Sequence, residues 1–160
     1  MPTLVSLCAQ LLPFVAPLAL VLVWWRLPRA AKARFAVLTV VSGVAAFGLV
    51  AAAGAAHSDP RPFVVDPTHP PLFAHDADNG FPSDHTTYAA TAAFLVTSVR
   101  RRLGLILLLS AVVGGLARVA ANVHHLQDIV AALVIAAVAV GAGLGVQMLT
   151  GLPSYRERRG

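Results

Sequence analysis

Three short clusters hold most of the side chains in this 160-residue chain that could do chemistry. The first, Arg61-Pro62-Phe63, brings a guanidinium, a planar fork of donors that suits phosphate oxygens and stays charged at any relevant pH. The second, Phe81-Pro82-Ser83-Asp84-His85, reads as a helix start. Ser83 or Asp84 is a good N-cap, and the free N–H groups of the first turn make a site ready for an anion such as phosphate. His85 falls in that first turn, where it can donate a proton beside the anion. The third cluster is Arg118, His124 and Asp128. At a spacing of four, His124 and Asp128 share one face of a helix, so the carboxylate can hold the imidazole tautomer and leave the other ring nitrogen free to attack. Arg118 would bring a second guanidinium to the same place. Each cluster also has a plainer account: an interfacial arginine meeting headgroups, a capping motif with an incidental histidine, and a polar patch at a span boundary. His125, three residues before Asp128, could pair with it on helical geometry alone.

The elements that must position these residues are membrane helices. Hydrophobic residues make up 58% of the chain and charged residues only 12%, against about 25% charged in an ordinary soluble domain. A soluble core of this size could not cover so much apolar surface. Runs of about 20 apolar residues, the length of a spanning helix, are expected at 4–25, 35–56, 84–99, 103–121 and 126–149, the third being short. The sequence therefore predicts an all-α, polytopic bundle of about five transmembrane helices forming one domain over 1–160. Pro13 and Pro17 should kink the first span, which is tolerated where neighbours satisfy the freed carbonyls. That span has no basic n-region and is too long for a signal peptide, so it is expected to remain in the mature protein. Segment 57–82 carries six prolines, three histidines and four aspartates, too polar for the bilayer and too rich in proline for one long helix. It is expected to be an ordered loop at the membrane surface, with at most a short helical turn.

The net charge of +5 reads as a topology signal, because no basic stripe with interleaved aromatics points to nucleic acid. Arg26, Arg29, Lys32 and Arg34 follow the first span, Arg100, Arg101 and Arg102 the third, and Arg156, Arg158 and Arg159 the fifth. These windows alternate correctly for one side, cytoplasmic by the positive-inside rule. The N-terminus, the 57–82 loop, all six histidines and every acid except Glu157 then lie outside. Cys8 is the single cysteine, so an intrachain disulfide is excluded.

Taken in order, the clusters resemble the signature of the type 2 phosphatidic acid phosphatase superfamily, which includes the vanadium haloperoxidases. Its pattern is Lys-x6-Arg-Pro, then Pro-Ser-Gly-His, then Ser-Arg-x5-His-x3-Asp. This chain reads Arg61-Pro62, Pro82-Ser83-Asp84-His85, and Arg118-x5-His124-x3-Asp128. Gly54 stands where the lysine would fall, with His57 the nearest substitute. Ala117 replaces the serine and Asp84 the glycine. Pro-Ser-Asp-His after phenylalanine is similar to the bacitracin-resistance branch, the undecaprenyl-diphosphate phosphatases. The resemblance covers about residues 54–128, and six spans are common in the family where five are expected here.

The resemblance implies a two-step mechanism without a metal or other cofactor. His124 attacks the terminal phosphorus to form a phosphohistidine, Asp128 orients it, and His85 protonates the leaving oxygen and then activates water. Arg61, Ser83 and Arg118 bind the phosphoryl oxygens. The implied substrate is undecaprenyl diphosphate, with phosphatidic acid, phosphatidylglycerol phosphate or another prenyl phosphate as alternatives. The implied partners are this lipid and the bilayer. Two other classes use the same residues. A metal-dependent hydrolase could use the histidines and aspartates, although no His-x3-His pair or cysteine cluster is present. A transporter could use a His–Asp proton relay, although that leaves unexplained why two arginines accompany a histidine at a helix start. His57, His69, His75 and His125 carry no assigned role.

Overall fold

A computed structural model of the protein describes residues 3–150, so the basic tail at 156–159 lies outside the described residues. Among them are six helices: α1 (Leu4–Trp25), α2 (Arg29–Ala56), α3 (Pro62–Val65), α4 (Asp84–Val99), α5 (Arg101–Ala120) and α6 (Leu126–Leu149). Four of these, α1, α2, α5 and α6, are long and apolar enough to cross a membrane. The protein is an all-α, multi-pass membrane bundle. Helix α2 begins six residues earlier than expected, because Pro28 starts it and Arg29, Lys32 and Arg34 ride on its first turns instead of forming a loop. Pro28 at the cap is compatible with helix because its missing N–H would be unpaired there anyway.

Helix α4 is the short one, with 16 residues, or about 24 Å of rise against about 30 Å of hydrocarbon. It is the innermost element, packed against α1, α2, α5 and α6. Its alanines Ala89, Ala90, Ala92 and Ala93 are all buried, which lets its neighbours approach closely. At one end of the bundle Leu27, Phe35, Leu38, Leu95 and Val140 join α2, α4 and α6 to the α1–α2 turn. There Trp24 Nε1 donates to the Lys32 carbonyl at 3.1 Å and Gln147 Nε2 to the Arg34 carbonyl at 2.9 Å. Arg26, Arg29, Lys32, Arg34 and Arg100–Arg102 cluster at this end. All six histidines lie at the other.

Two glycines bring α5 against its partners. A Cβ on Gly114 would lie 3.1 Å from Leu12 Cβ and 3.5 Å from Pro13 Cδ of α1, and one on Gly115 would lie 2.7 Å from Ile129 Cγ2 of α6. Helix α5 therefore lies backbone-close to both, and Arg118, one turn beyond Gly114, meets the proline-bearing part of α1. Pro13 has no N–H for the Ala9 carbonyl; Arg118 Nη1 donates to that oxygen at 3.2 Å.

The 57–82 segment holds one short helical turn, α3. Asn79 fastens its two ends: Nδ2 donates to the Gly54 and His57 carbonyls at 3.1 Å, and Oδ1 accepts from the N–H groups of Asp59 at 2.9 Å and Phe81 at 3.1 Å. The middle is tied to the α5–α6 turn, where Leu72 N donates to Ala121 O at 3.1 Å and Asn122 Nδ2 donates to the His69 carbonyl. Asn122 has φ 62°, the left-handed conformation that asparagine tolerates well.

Candidate active site

The loop, the start of α4, the end of α5 and the start of α6 meet around a buried group of charges. Ser83 caps α4: its Oγ accepts from Thr86 N at 3.4 Å and donates to Thr86 Oγ1 at 3.1 Å. Ser83 N donates to the Asp128 carbonyl at 3.3 Å, so the N-termini of α4 and α6 are joined and both present their positive dipole ends here. Ser83 is fully buried.

His124 and Asp128 are paired, His124 Nδ1 lying 3.1 Å from Asp128 Oδ2. The geometry differs from two residues on one helix face. Helix α6 starts at Leu126, so His124 stands ahead of it in the turn and Asp128 reaches back across the helix start. That resolves the competition with His125. The backbone N–H of His125 donates to Asp128 Oδ2 at 2.8 Å, while its ring turns to Asp59 at 2.9 Å. Arg61 Nη1 lies 3.3 Å from the other His124 nitrogen, Nε2. A guanidinium cannot accept, so Nε2 carries the lone pair and Nδ1 the proton shared with Asp128. Burial pushes the His124 imidazole below its ordinary pKa. The bond to Asp128 opposes that shift, and the Arg61 and Arg118 charges reinforce it. A neutral imidazole with Nε2 open is the form that can act as a nucleophile.

Arg61 folds inward from the start of α3 and is 5% exposed. Its Nε donates to Asp78 Oδ1 at 2.7 Å and its Nη1 to the Val123 carbonyl at 2.8 Å. Burial alone would raise the Asp78 carboxyl, but the Arg61 bond and charge hold it below its usual range. Arg118 is 2% exposed. Besides Ala9 O, it has His75 Nε2 at 2.9 Å from Nη2 and the Phe73 ring 5.8 Å below its centre. Its Nε is buried with no hydrogen-bond partner. Among the described residues no carboxylate lies within ion-pair distance of Arg118; the ion pairs are Arg61–Asp78, His69–Asp66, His124–Asp128 and His125–Asp59. Asp128 Oδ1 and Tyr88 Oη are likewise buried without a partner. His85 is half-buried between the Phe14 ring at 6.3 Å and the Tyr88 ring at 5.4 Å, within Coulombic reach of Arg118, His75, His124 and Arg61.

All six residues singled out in the sequence thus lie at this end of the bundle. The Ser83 hydroxyl is engaged with Thr86. His57 does not take the place of the missing lysine: it is exposed and packs on Phe81, with ring centroids 4.8 Å apart. Sequence reasoning left out His75, Phe73, Asp78 and Asp59. No local spacing could have found them, because each meets its partner through the path of the proline-rich loop.

For a cation, Asp59, His125 and Asp128 offer ligand atoms within 4.8 Å of one another. Those atoms already serve one another. Asp59 Oδ2 accepts from Gln127 Nε2 at 2.7 Å and pairs with His125, and Asp128 Oδ2 serves His124 and His125. These bonds outweigh the effect of burial on Asp59 and lower its carboxyl.

Over 146 residues the chain is 34% identical to a protein of Bacillus licheniformis named bacitracin transport permease protein BcrC, covering 91% of this chain and 66% of that protein. Over 78 residues it is 36% identical to the undecaprenyl-diphosphatase BcrC of Bacillus subtilis (strain 168), covering 49% of this chain and 40% of that protein. The chain thus spans just under two thirds of the first relative's length. Residues 33–149, which hold every charged side chain of the site, match the PAP2 superfamily, and the chain belongs to that family.

Proposed function

We propose that this chain is a membrane phosphatase, a single domain that converts undecaprenyl diphosphate to undecaprenyl phosphate and orthophosphate. The observation that carries the reading is Arg118, a buried guanidinium with an unpaired Nε and no carboxylate partner among the described residues. An uncompensated buried cation is costly, and a phosphate dianion beside His124 would complete it. A proton relay gives no reason for such a cation, which weighs against a transporter. The branch is supported by the Pro-Ser-Asp-His motif and by the relative named as an undecaprenyl-diphosphatase.

In the proposed reaction His124 Nε2 attacks the terminal phosphorus in line with the bridging oxygen. The N–P bond forms as the P–O bond to the lipid phosphate breaks, and His85 gives a proton to the leaving oxygen. Asp128 stabilises the imidazolium as it develops. His85 then takes a proton from water, whose oxygen attacks the phosphohistidine and releases orthophosphate. Arg61, Arg118 and the N-terminal dipoles of α4 and α6 bear the charge on the phosphoryl oxygens, the main requirement of phosphoryl transfer. Ser83 binds an oxygen by giving up its bond to Thr86. The arginine-rich end lies in the cytoplasm and the histidine-rich loop outside, so the site serves the outer leaflet.

The test is phosphate release by purified protein in the presence of EDTA, comparing undecaprenyl diphosphate with phosphatidic acid and including His124→Ala. Release that survives EDTA, prefers the diphosphate and disappears in the variant is expected. Release abolished by EDTA and restored by a divalent metal would instead establish the metal-dependent reading.

A further inference from the structure

The loop histidine His75 stands where a substrate oxygen is needed. Its Nε2 is 2.9 Å from Arg118 Nη2 and its Nδ1 is 3.3 Å from the Asp76 carbonyl. Arginine only donates, so Nε2 accepts and the ring is neutral in the free protein. Its centroid is 6.2 Å from that of His124, nearly perpendicular at 79°. It therefore looks onto the imidazole proposed as nucleophile. Phe73, two residues earlier, lies under the same guanidinium. Meanwhile Gly54 brings no side chain in place of the family lysine. A Cβ there would meet Phe81 O at 3.3 Å and Asn79 Nδ2 at 3.7 Å, the strap that closes the loop.

Resting on the phosphatase reading, we propose that His75 is a substrate-binding residue: it occupies Arg118 in the free site, yields that guanidinium to a phosphate oxygen, and as a protonated imidazole supplies the third cation that the lysine would have given. The proton comes from solvent, drawn by the arriving dianion. The groups facing His75 are Arg118 from α5, Arg61 and Asp78 from the loop, His124 from the α5–α6 turn and His85 from α4. Burial and the two arginines keep the ring neutral until the anion comes. The loop that carries it is anchored at both ends by Asn79. His75 can therefore turn without the loop opening.

The experiment measures orthophosphate binding calorimetrically on the purified full chain in detergent, for wild type and for His75→Ala, His75→Asn and His75→Lys, alongside KM and kcat. Asparagine keeps an acceptor for Arg118 but no charge; lysine keeps the charge but no acceptor. Loss of one charge-assisted contact is about a tenfold or greater loss of affinity. We expect that loss, with KM raised and kcat less affected, in His75→Ala and His75→Asn, and recovery in His75→Lys. The inference stands only if alanine loses binding and lysine recovers it beyond asparagine; any other pattern overturns it. Recovery by asparagine alone would mean that His75 merely props Arg118. Wild-type protein that neither binds nor releases phosphate would overturn the phosphatase reading together with this inference, whereas normal wild-type activity abolished by His124→Ala would leave that reading intact whatever the His75 variants do.

Discussion

Replacing Arg118 with methionine keeps much of the side chain's length and removes a buried cation that has no carboxylate within ion-pair distance among the described residues. Two opposed effects follow. In the free protein the substitution leaves Ala9 O without its donor, a cost of about 1–3 kcal/mol, and loses the Phe73 contact, worth about 0.5–2 kcal/mol. It also removes a buried charge whose uncompensated penalty is about several kcal/mol. These are of one order, so the unliganded melting temperature should move by no more than about 4 °C. Phosphate binding should behave differently. Nε and Nη2 can give an anion two charge-assisted bonds of about 1.5–3 kcal/mol each, so affinity should fall by about 10²–10⁴. At a concentration of about 100 times the wild-type Kd, orthophosphate stabilises wild type by about 2.7 kcal/mol, or roughly 5–11 °C. With affinity lowered about 100-fold the same concentration gives about 0.4 kcal/mol, or roughly 1–2 °C. The assay is thermal unfolding in detergent with and without orthophosphate. A variant that melts far below wild type yet keeps the full phosphate shift would refute the reasoning and make Arg118 a purely structural residue.

The ionisation of His124 sets the acid limb of kcat/KM: the ring is active when neutral and is held below its ordinary value of 6.5, so activity should persist under pH 6.5 and fall only as pH drops through the depressed value. Unfolded His124 protonates near its ordinary value, so stability should begin to fall as pH drops below 6.5 and be lost by the depressed value, earlier than activity, as a pH titration of the melting temperature can check. Asp128→Asn should move the limb to still lower pH, because the carboxylate raises the imidazole, and should cut kcat by about 10–100-fold through loss of a charge-assisted bond; an unmoved limb would detach Asp128 from His124. Asp59→Ala frees both His125 and Gln127 from the loop, and should speed proteolytic cleavage within 57–82 by about tenfold while changing kcat much less.

The apolar runs made five of the helices legible, because a bilayer sorts charge from apolar surface. The start of α2 was not, since Arg29, Lys32 and Arg34 look like a loop although arginine and lysine are good helix formers at an interface. The shortness of α4 was visible in its polar start at Asp84; its central position was not, because alanine-rich burial among helices and exposure to lipid look alike in composition. At the site, the family spacing selected His124 over His125, and the structure supplies the physical reason in the helix start at Leu126. His75 was invisible because it meets Arg118 across 43 residues of sequence, along a loop path that no periodicity encodes. The rule that a neighbour would satisfy the carbonyl freed by Pro13 was legible, but not that Arg118 would be that neighbour.

That last contact bears on how the protein is made. Helix α1 precedes α5 in the chain, and Pro13 leaves the Ala9 carbonyl open from the moment α1 forms. An arginine carried into the bilayer on a lone helix is penalised by about 2.5–3.5 kcal/mol at mid-membrane and by less toward a helix end such as the last turn of α5. Here it arrives opposite an acceptor already waiting at the right depth. The carbonyl that Pro13 frees thus serves as a docking mark for biogenesis, matching the one basic side chain of α5's last turn to a fixed height on α1 before any substrate is present.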